Sequence, residues 1–418
     1  MSYSAVPGVP GPRRPVGLGD RAARVLTAEL ARDNTAKHAL LVAAVPGSTV
    51  LRAAVQALLP GDTLTVVPAE ADQLPQVQAE VTGHGRWASD RVRVIDSLPA
   101  ADAADIMVVA SPLTGSAEDA RAALDGFAKH LTEGGVVSVA VPALPGSSEG
   151  AVAELDRQAA LFGAGSDLVL RNAPPVRVHK LRFTAAAPER AERLGPVFRP
   201  SSVPLTRGMH LDSNGVAAAA IALGLAAATR LARPRSRLWL LPALAAAPAA
   251  AFFRDPQRDV PDEDPDAVVA ASDGRVLAVE RLRDERLGAT DYLRIAVFLS
   301  ILDVHINRSP VAGRVVDHFV TDGGFAAAMK PQAEHNVAAY TVLDTVRGRV
   351  VVAQRTGMIA RRIVHRVPVG ALLARGERFG LIRFGSRTDV YLPADAAAAL
   401  VGPGDRVVGG ASVIARWR

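Results

Sequence analysis

Near its C-terminus the chain reads Gly376-Glu377-Arg378-Phe379-Gly380-Leu381-Ile382-Arg383-Phe384-Gly385-Ser386-Arg387-Thr388-Asp389-Val390-Tyr391-Leu392-Pro393, which sets a Gly-Ser bond between two strand-like runs. Such a bond can be a self-cleavage site: the serine Oγ attacks the glycine carbonyl and converts the amide to an ester. Glycine suits the position before the cut, because without a Cβ the nucleophile approaches freely and strained backbone costs less. A serine hydroxyl is a weak nucleophile until a base takes its proton, and a third group usually orients that base. By itself a Gly-Ser pair is also ordinary turn chemistry, so the surrounding residues decide. The chain has no cysteine, which excludes disulfides, thiolate catalysis and cysteine-ligated metals, and no His-rich or carboxylate cluster has metal-ligand spacing.

Other blocks precede this stretch. They are Phe252-Phe253-Arg254-Asp255-Pro256-Gln257-Arg258, Ala271-Ser272-Asp273-Gly274-Arg275-Val276, Phe298-Leu299-Ser300-Ile301-Leu302-Asp303-Val304-His305-Ile306-Asn307-Arg308-Ser309-Pro310 continued by Val311-Ala312-Gly313, and Gly357-Met358-Ile359-Ala360-Arg361-Arg362-Ile363-Val364. Together they resemble, in order, the motifs of phosphatidylserine decarboxylase proenzymes in their short bacterial and archaeal form. The resemblance covers roughly residues 250 to 418, about two fifths of the chain.

The resemblance implies that the chain cuts itself between Gly385 and Ser386, and that Ser386 becomes a pyruvoyl group. A pyruvoyl carbonyl forms an imine with the substrate amine and takes up the electrons released with CO2, the task usually given to pyridoxal phosphate. By the same match His305 is the base and Asp273 the acid that orients it. Longer family members carry a His-x-x-His pair, whereas here Arg308 stands at the second position. His318, His335 and His365 are substitute bases, each expected on a solvated face. Arg308 is expected to hold the lipid phosphate through its guanidinium, with Asn307 beside it in substrate binding. Lys330 and Asn336 fall in a region that follows the family pattern only loosely. The implied partners are phosphatidylserine and an anionic membrane surface. The cut chains are expected to stay associated, and homo-oligomerisation is left open.

These residues need a scaffold and a route to lipid. The chain is 49% hydrophobic but only 4% aromatic, with formal charge +6; its mean hydropathy is +0.17 and its pI about 10.1. No recognition-helix, zinc-finger or interleaved aromatic pattern points to nucleic acid. Arginines instead flank two Ala/Leu-rich runs, Gly215 to Thr229 and Leu238 to Phe253. Arg230, Arg233, Arg235 and Arg237 lie between the runs, and Arg207, Arg254 and Arg258 outside them. A full span needs about 20 apolar residues, so each run is short, and Pro242 and Pro248 disturb the second. Positive charge on both sides gives no orientation by the positive-inside rule. The expectation is a shallow helical hairpin dipping into one leaflet, with its arginines at anionic headgroups. A core hairpin of a soluble domain and a tight spanning hairpin are the alternatives. Met1 to Gly19 is rich in Pro and Gly without an apolar h-region, so no secretory signal is expected and the membrane is approached from its cytoplasmic face.

Residues 20–185 alternate strand and helix, which predicts a doubly wound parallel sheet. Expected strands are Ala39–Val45, Thr63–Val67, Arg91–Ile95, Ile106–Ala110, Val136–Val141, Asp167–Arg171 and Arg177–Thr184, the last two forming an antiparallel edge pair. Expected helices are Asp20–Asp33 capped by Asp20, Thr49–Leu59, Ala71–Val81, Ala117–Leu131 and Glu149–Phe162. This order resembles class I S-adenosylmethionine-dependent methyltransferases. Glu70 stands where their ribose-binding carboxylate follows the second strand, Asp96 lies near the adenine position, and Gly134-Gly135-Val136-Val137 is similar to their late-strand entry. The first-strand loop, Val45-Pro46-Gly47-Ser48, offers one glycine where that family has a glycine-rich turn. Ala110-Ser111-Pro112-Leu113 stands in place of an Asn-Pro-Pro-Tyr-type catalytic motif. A degenerate methyltransferase-like domain follows, without catalysis and without measurable S-adenosylmethionine binding.

The expected organisation is therefore a disordered N-terminus (1–19), an α/β methyltransferase-like domain (20–185), a linker (186–214), a membrane-associated helical hairpin (215–253) and a mainly-β decarboxylase domain (254–418) cut between 385 and 386. Two other readings stand beside a phosphatidylserine decarboxylase. In one, the first half methylates the amine product of the second; in the other, both halves are an inactive lipid-binding scaffold.

Overall fold

The computed structural model describes residues 17–143, 149–198, 202–261, 263–288, 290–358, 362–383 and 386–418. The chain forms two compact units, Met1–Gly195 with Pro368–Leu372, and Pro196–Val367 with Leu373–Arg418. Apart from 17–19, the expected disordered terminus lies outside the described residues, as does Gly385.

The first unit is the doubly wound sheet. Its strands are β1 (His38–Ala44), β2 (Thr63–Pro68), β3 (Val92–Val94), β4 (Ala104–Val109), β5 (Leu131–Pro142), β6 (Gly163–Val169) and β7 (Val176–Leu181), in the order β3-β2-β1-β4-β5-β7-β6. Strands β1 to β5 pair in parallel, while β7 runs antiparallel to both β5 and β6, as expected for the edge. Apolar runs such as Leu40–Ala44 are buried throughout, the pattern of a sheet covered on both faces. Flanking helices are α1 (Asp20–Leu26), α2 (Ala28–Arg32), α3 (Thr49–Gln56), α4 (Leu74–Gly83), α5 (Arg86–Arg91), α6 (Ala117–Ala128) and α7 (Glu149–Phe162). Helix α6 starts at a capping box between Ser116 and Asp119.

Two local expectations are corrected. The helix expected over Asp20–Asp33 breaks at Thr27, whose hydroxyl bonds back to the Ala23 carbonyl at 2.9 Å. Its N-cap is Gly19, with Asp20 in the first turn and making no cap bond.

In the second unit, the stretch expected as a linker carries α8 (Glu189–Glu192, still in the first unit) and then β8 (Val203–Thr206) and β9 (Met209–Leu211). After β9 come α9 (Ser213–Ala232) and α10 (Leu240–Phe252), and β10 (Arg254–Pro256) returns to pair with β9. Both ends of the hairpin are thus clamped by one small sheet, β10-β9-β8. Helix α9 is longer than the 15-residue run expected: at 20 residues it is long and apolar enough to cross a membrane, and only 11% of its most apolar window is buried.

The remainder is β-rich. Strands β11 (Ala267–Val269), β12 (Gly274–Arg283), β13 (Asp291–Leu299), β14 (Ile306–Arg308), β15 (Gly313–Thr321), β16 (Ala338–Thr345), β17 (Gly348–Arg355) and β18 (Ile363–His365) are followed by strands Arg378–Ile382 and Ser386–Pro393. An eight-stranded sheet contains the consecutive antiparallel order β15, β16, β17, Ser386–Pro393, β13, β12. A three-stranded sheet places Arg378–Ile382 between β14 and β18. Gly274 starts β12 with φ of 151°, and a Cβ there would lie 2.0 Å from the Phe298 carbonyl oxygen, so only glycine fits.

Candidate active site

Ser386 is the first residue of a strand held from both sides, opposite Leu299 of β13, with Arg387 opposite Arg355 of β17. Alternation puts Arg387, Asp389 and Tyr391 on one face and Ser386, Thr388 and Val390 on the other. The first face is a charged brace. Arg355 Nε donates to Asp389 Oδ2 at 2.7 Å, Arg387 Nε to Asp389 Oδ1 at 2.6 Å, and Arg355 Nη2 to the Tyr340 and Tyr391 hydroxyls at 3.0 Å each. Burial alone would raise the Asp389 carboxyl pKa, but Arg355 and Arg387 override it and hold it below the usual carboxylate range.

The second face is neutral and polar. Ser272 and Thr388 hydroxyls meet at 2.6 Å. Gln354, opposite Thr388, donates from Nε2 to Asn307 Oδ1 at 2.7 Å and so ties the large sheet to the small one. Ser386 Oγ is fully buried and has no hydrogen-bond partner.

His305 stands just before β14, and its carbonyl accepts from Ile382 N, four residues before Ser386, at 3.3 Å. Its Nδ1 lies 2.9 Å from the Asp303 carbonyl. A carbonyl only accepts, so Nδ1 carries the proton and Nε2 keeps its lone pair. Nε2 is buried without a partner, and the Phe252 ring lies 4.2 Å from the imidazole. Burial pushes the imidazole pKa down to about 4, only partly offset by the Asp303 backbone bond. His305 is therefore a neutral, buried imidazole at pH 7 with a free lone pair on Nε2.

Other expected residues are placed differently. Asp273 makes no bond to His305: its carboxylate accepts from Arg258 Nη2 at 2.7 Å and from Gly409 N at 2.8 Å. The Asp303 main chain does the orienting instead. Arg308 is buried, donating to Asp255 Oδ1 at 2.9 Å, the Pro256 carbonyl at 2.7 Å and the Gly376 carbonyl at 3.2 Å. Burial, with Arg378 beside it, presses its pKa down to about 9, so it stays charged at pH 7 but is engaged within the fold. A guanidinium so engaged is not placed to hold a lipid phosphate. Asn307 is fully buried, and its Nδ2 lacks a partner.

His318 and His365 are not on a solvated face; their rings stack 3.4 Å apart, half-buried between the two sheets. His335 and Lys330 are exposed, and Asn336 clamps the Ala326 and Thr356 backbone. In the first unit, Glu70 is exposed just past β2 and caps nothing. The Gly47 N–H of the first-strand loop is taken by Glu80 Oε2 at 2.7 Å.

Sequence reasoning passed over Phe252, Asp303 and Gln354. Phe252 and Asp303 lie inside blocks that were read as motifs, and Gln354 carries no motif signal of its own.

A family model described as phosphatidylserine decarboxylase matches residues 246–415. The phosphatidylserine decarboxylase proenzyme of Symbiobacterium thermophilum is 52% identical over 167 residues, covering 40% of this chain and 77% of the relative. Those of Geotalea uraniireducens and Nitrosomonas eutropha are 45% identical over 165 residues and 44% over 184, covering 39% and 43% of this chain and 76% and 84% of the relatives. Carboxy-lyases made as proenzymes are thus the class to which the C-terminal β-rich part corresponds. The chain belongs to the phosphatidylserine decarboxylase family. Among solved structures, TrmN from Thermus thermophilus has a TM-score of 0.31 at 15% identity, covering 40% of this chain and 49% of that one. The N-methyltransferase NodS from Bradyrhizobium japonicum WM9 has a TM-score of 0.30 at 14% identity, covering 40% and 96%.

Proposed function

We propose that the chain cuts itself between Gly385 and Ser386 and then, as a pyruvoyl enzyme, decarboxylates phosphatidylserine to phosphatidylethanolamine. The observation that carries this reading is a pair of atoms: Ser386 Oγ and His305 Nε2, both buried and unpartnered in one unit. Each such atom costs about 1–3 kcal/mol, a cost that calls for a chemical reason. His305 Nε2 takes the Oγ proton, Oγ bonds to the Gly385 carbonyl carbon, and the Gly385–Ser386 C–N bond breaks as the amine regains a proton. The ester then eliminates: the Ser386 Cα proton leaves, the Cβ–O bond breaks and Gly385 departs as a carboxylate. Water releases the nitrogen as ammonia and leaves a ketone at 386. The pyruvoyl carbonyl supplies the electron sink that amino-acid decarboxylation needs. Phe252 excludes water from His305, Asp303 fixes its tautomer, and the Asp389 brace keeps the strand that begins at Ser386 in its sheet after the cut.

The hairpin α9–α10 supports a membrane contact. Ile221, Leu225, Leu231 and Leu244 are exposed on it, and Ile301 and Leu302 are exposed on the turn before His305. That turn is held to the hairpin base by Arg254 Nη2, which donates to the Leu302 carbonyl at 2.5 Å. The exposed Arg207 at the hairpin base and Arg230, Arg233, Arg235 and Arg237 at its tip favour lying along one leaflet, on the cytoplasmic face, where they reach anionic headgroups together. The first unit is read as a methyltransferase-like fold without S-adenosylmethionine, because Glu80 already takes the Gly47 N–H.

The test is release of CO2 from phosphatidylserine vesicles by the purified protein and by Ser386→Ala. The wild type is expected to be active, and the variant an inactive single chain. An active Ser386→Ala protein would overturn the reading.

A further inference from the structure

With Arg308 engaged inside the fold, the cationic partner for a lipid phosphate has to be sought elsewhere. Arg383 directly follows the strand Arg378–Ile382 that leads to Ser386. Its backbone N–H bonds the Arg362 carbonyl at 3.2 Å, next to the register pair Ile363–Ile382, so two arginines stand opposite each other across antiparallel strands. Like charges in that arrangement are destabilising unless something neutralises them. The nearby carboxylate does not: Asp212 is taken by both terminal nitrogens of Arg366 and by Asn214. Arg362 is exposed and has no acidic partner among the described residues. Arg383 donates once, from Nη2 to Asn214 Oδ1 at 2.8 Å, and its Nε is buried without a partner. Asn214 lies in the first turn of α9, so the pair sits at the hairpin base, three residues from Ser386.

We propose that Arg383 and Arg362 together bind the phosphodiester of the substrate lipid, Arg383 through its unpartnered Nε and Arg362 from the exposed side. A phosphodiester gives the two guanidiniums a shared anion and supplies the orphaned N–H with an acceptor. This rests on the reading of the chain as a phospholipid decarboxylase. It also fits the membrane contact, since a lipid held at the hairpin base presents its headgroup towards residue 386 while its tails stay with the apolar helices.

The experiment has two arms. In the first, Arg383→Gln, Arg362→Gln and Arg383→Lys are assayed on phosphatidylserine in neutral detergent micelles, with the fraction of cut chain measured for each. Each Gln variant is expected to raise KM about tenfold, well beyond any change in kcat, and Arg383→Lys to recover part of the loss. In the second, the uncut Ser386→Ala protein is titrated with glycerophosphoserine and with inorganic phosphate, with and without Arg383→Gln. The loss of Arg383 should weaken glycerophosphoserine binding about tenfold, with inorganic phosphate binding more weakly than the diester in both proteins. This arm stands even if a Gln variant fails to cut. An unchanged KM in fully cut Arg383→Gln, or unchanged glycerophosphoserine binding, overturns the proposal. Equal affinity for the two ligands would reduce the site to a free-phosphate site and overturn it likewise. A wild type that releases no CO2 would instead defeat the decarboxylase reading itself.

Discussion

If His305 is the base for self-cleavage, its burial should appear in the pH dependence of the cut. The imidazole is pushed down to about 4 by burial, against about 6.5 for an unperturbed histidine. That difference amounts to about 3.4 kcal/mol favouring the neutral ring. At pH 5.5 a group with pKa 4 is about 97% neutral, whereas one at 6.5 is only about 9% neutral, a tenfold difference in active base. The wild-type precursor should therefore cut at a constant rate from pH 8 to 5.5 and slow only as the pH approaches 4. Phe252 lies 4.2 Å from the imidazole ring, so Phe252→Ser should admit water, raise the pKa and slow cutting about tenfold at pH 5.5 with little change at pH 8. The sign for stability runs the same way. A histidine whose folded pKa is depressed contributes fully above about 6.5, and its contribution is lost as pH falls towards about 4. The assay is the rate of appearance of the small chain after rapid refolding, with the His305 titration read by NMR in Ser386→Ala. A wild-type midpoint near 6.5, or a midpoint unmoved by Phe252→Ser, would refute the argument.

Other outcomes follow from the same geometry. Asp389→Asn leaves the buried Arg355 without its counter-charge and should cost about 3–5 kcal/mol, lowering the urea midpoint by roughly 1–2 M. The wild type should also lose this contribution below about pH 4, as the depressed Asp389 carboxyl becomes protonated, and a variant with a wild-type midpoint at pH 7 would defeat the brace. Replacing Ile301 and Leu302 by serine should weaken partitioning onto anionic vesicles about tenfold while leaving self-cleavage intact. Equal partitioning of this pair variant and wild type would remove the turn from the membrane contact. A chain beginning at Pro196 should cut itself and decarboxylate. A start near Pro204 should do worse, since Arg378 donates to the Val197 carbonyl at 3.0 Å and lies over the Phe198 ring. Calorimetry of the full chain with S-adenosylmethionine should give no signal, and micromolar binding lost in Glu70→Ala would revive the bifunctional reading.

The first unit was legible because its strands are continuous apolar runs separated by amphipathic helices, a pattern that fixes type and order without tertiary information. The antiparallel edge could be read from the missing helix between β6 and β7. What escaped was local: α5 lacks an apolar stripe, and the Thr27 break depends on one hydroxyl bonding backwards. The small strands β8 and β9 fall in the expected linker because they are short, Pro204 interrupts β8, and the partner of β9, β10, lies beyond the whole hairpin. In the second unit, Ser386 and His305 could be named from motifs, but their partners could not. Asp273 and Arg308 are the acid and the cation that chemistry would choose, yet the fold bonds them to Arg258 and Asp255. The group that orients His305 is a backbone carbonyl, which no sequence displays. Arg383 stood in the motif from the start; what marks it is a register that puts Arg362 opposite.

The central claim is that the Gly385–Ser386 bond is broken by the chain itself. Intact-mass measurement of the purified protein tests it most directly. The account predicts two chains, 1–385 and 386–418, the smaller without a free amine and reactive towards carbonyl reagents, and a single uncut chain for Ser386→Ala. An intact 43.6 kDa chain that decarboxylates phosphatidylserine would contradict it.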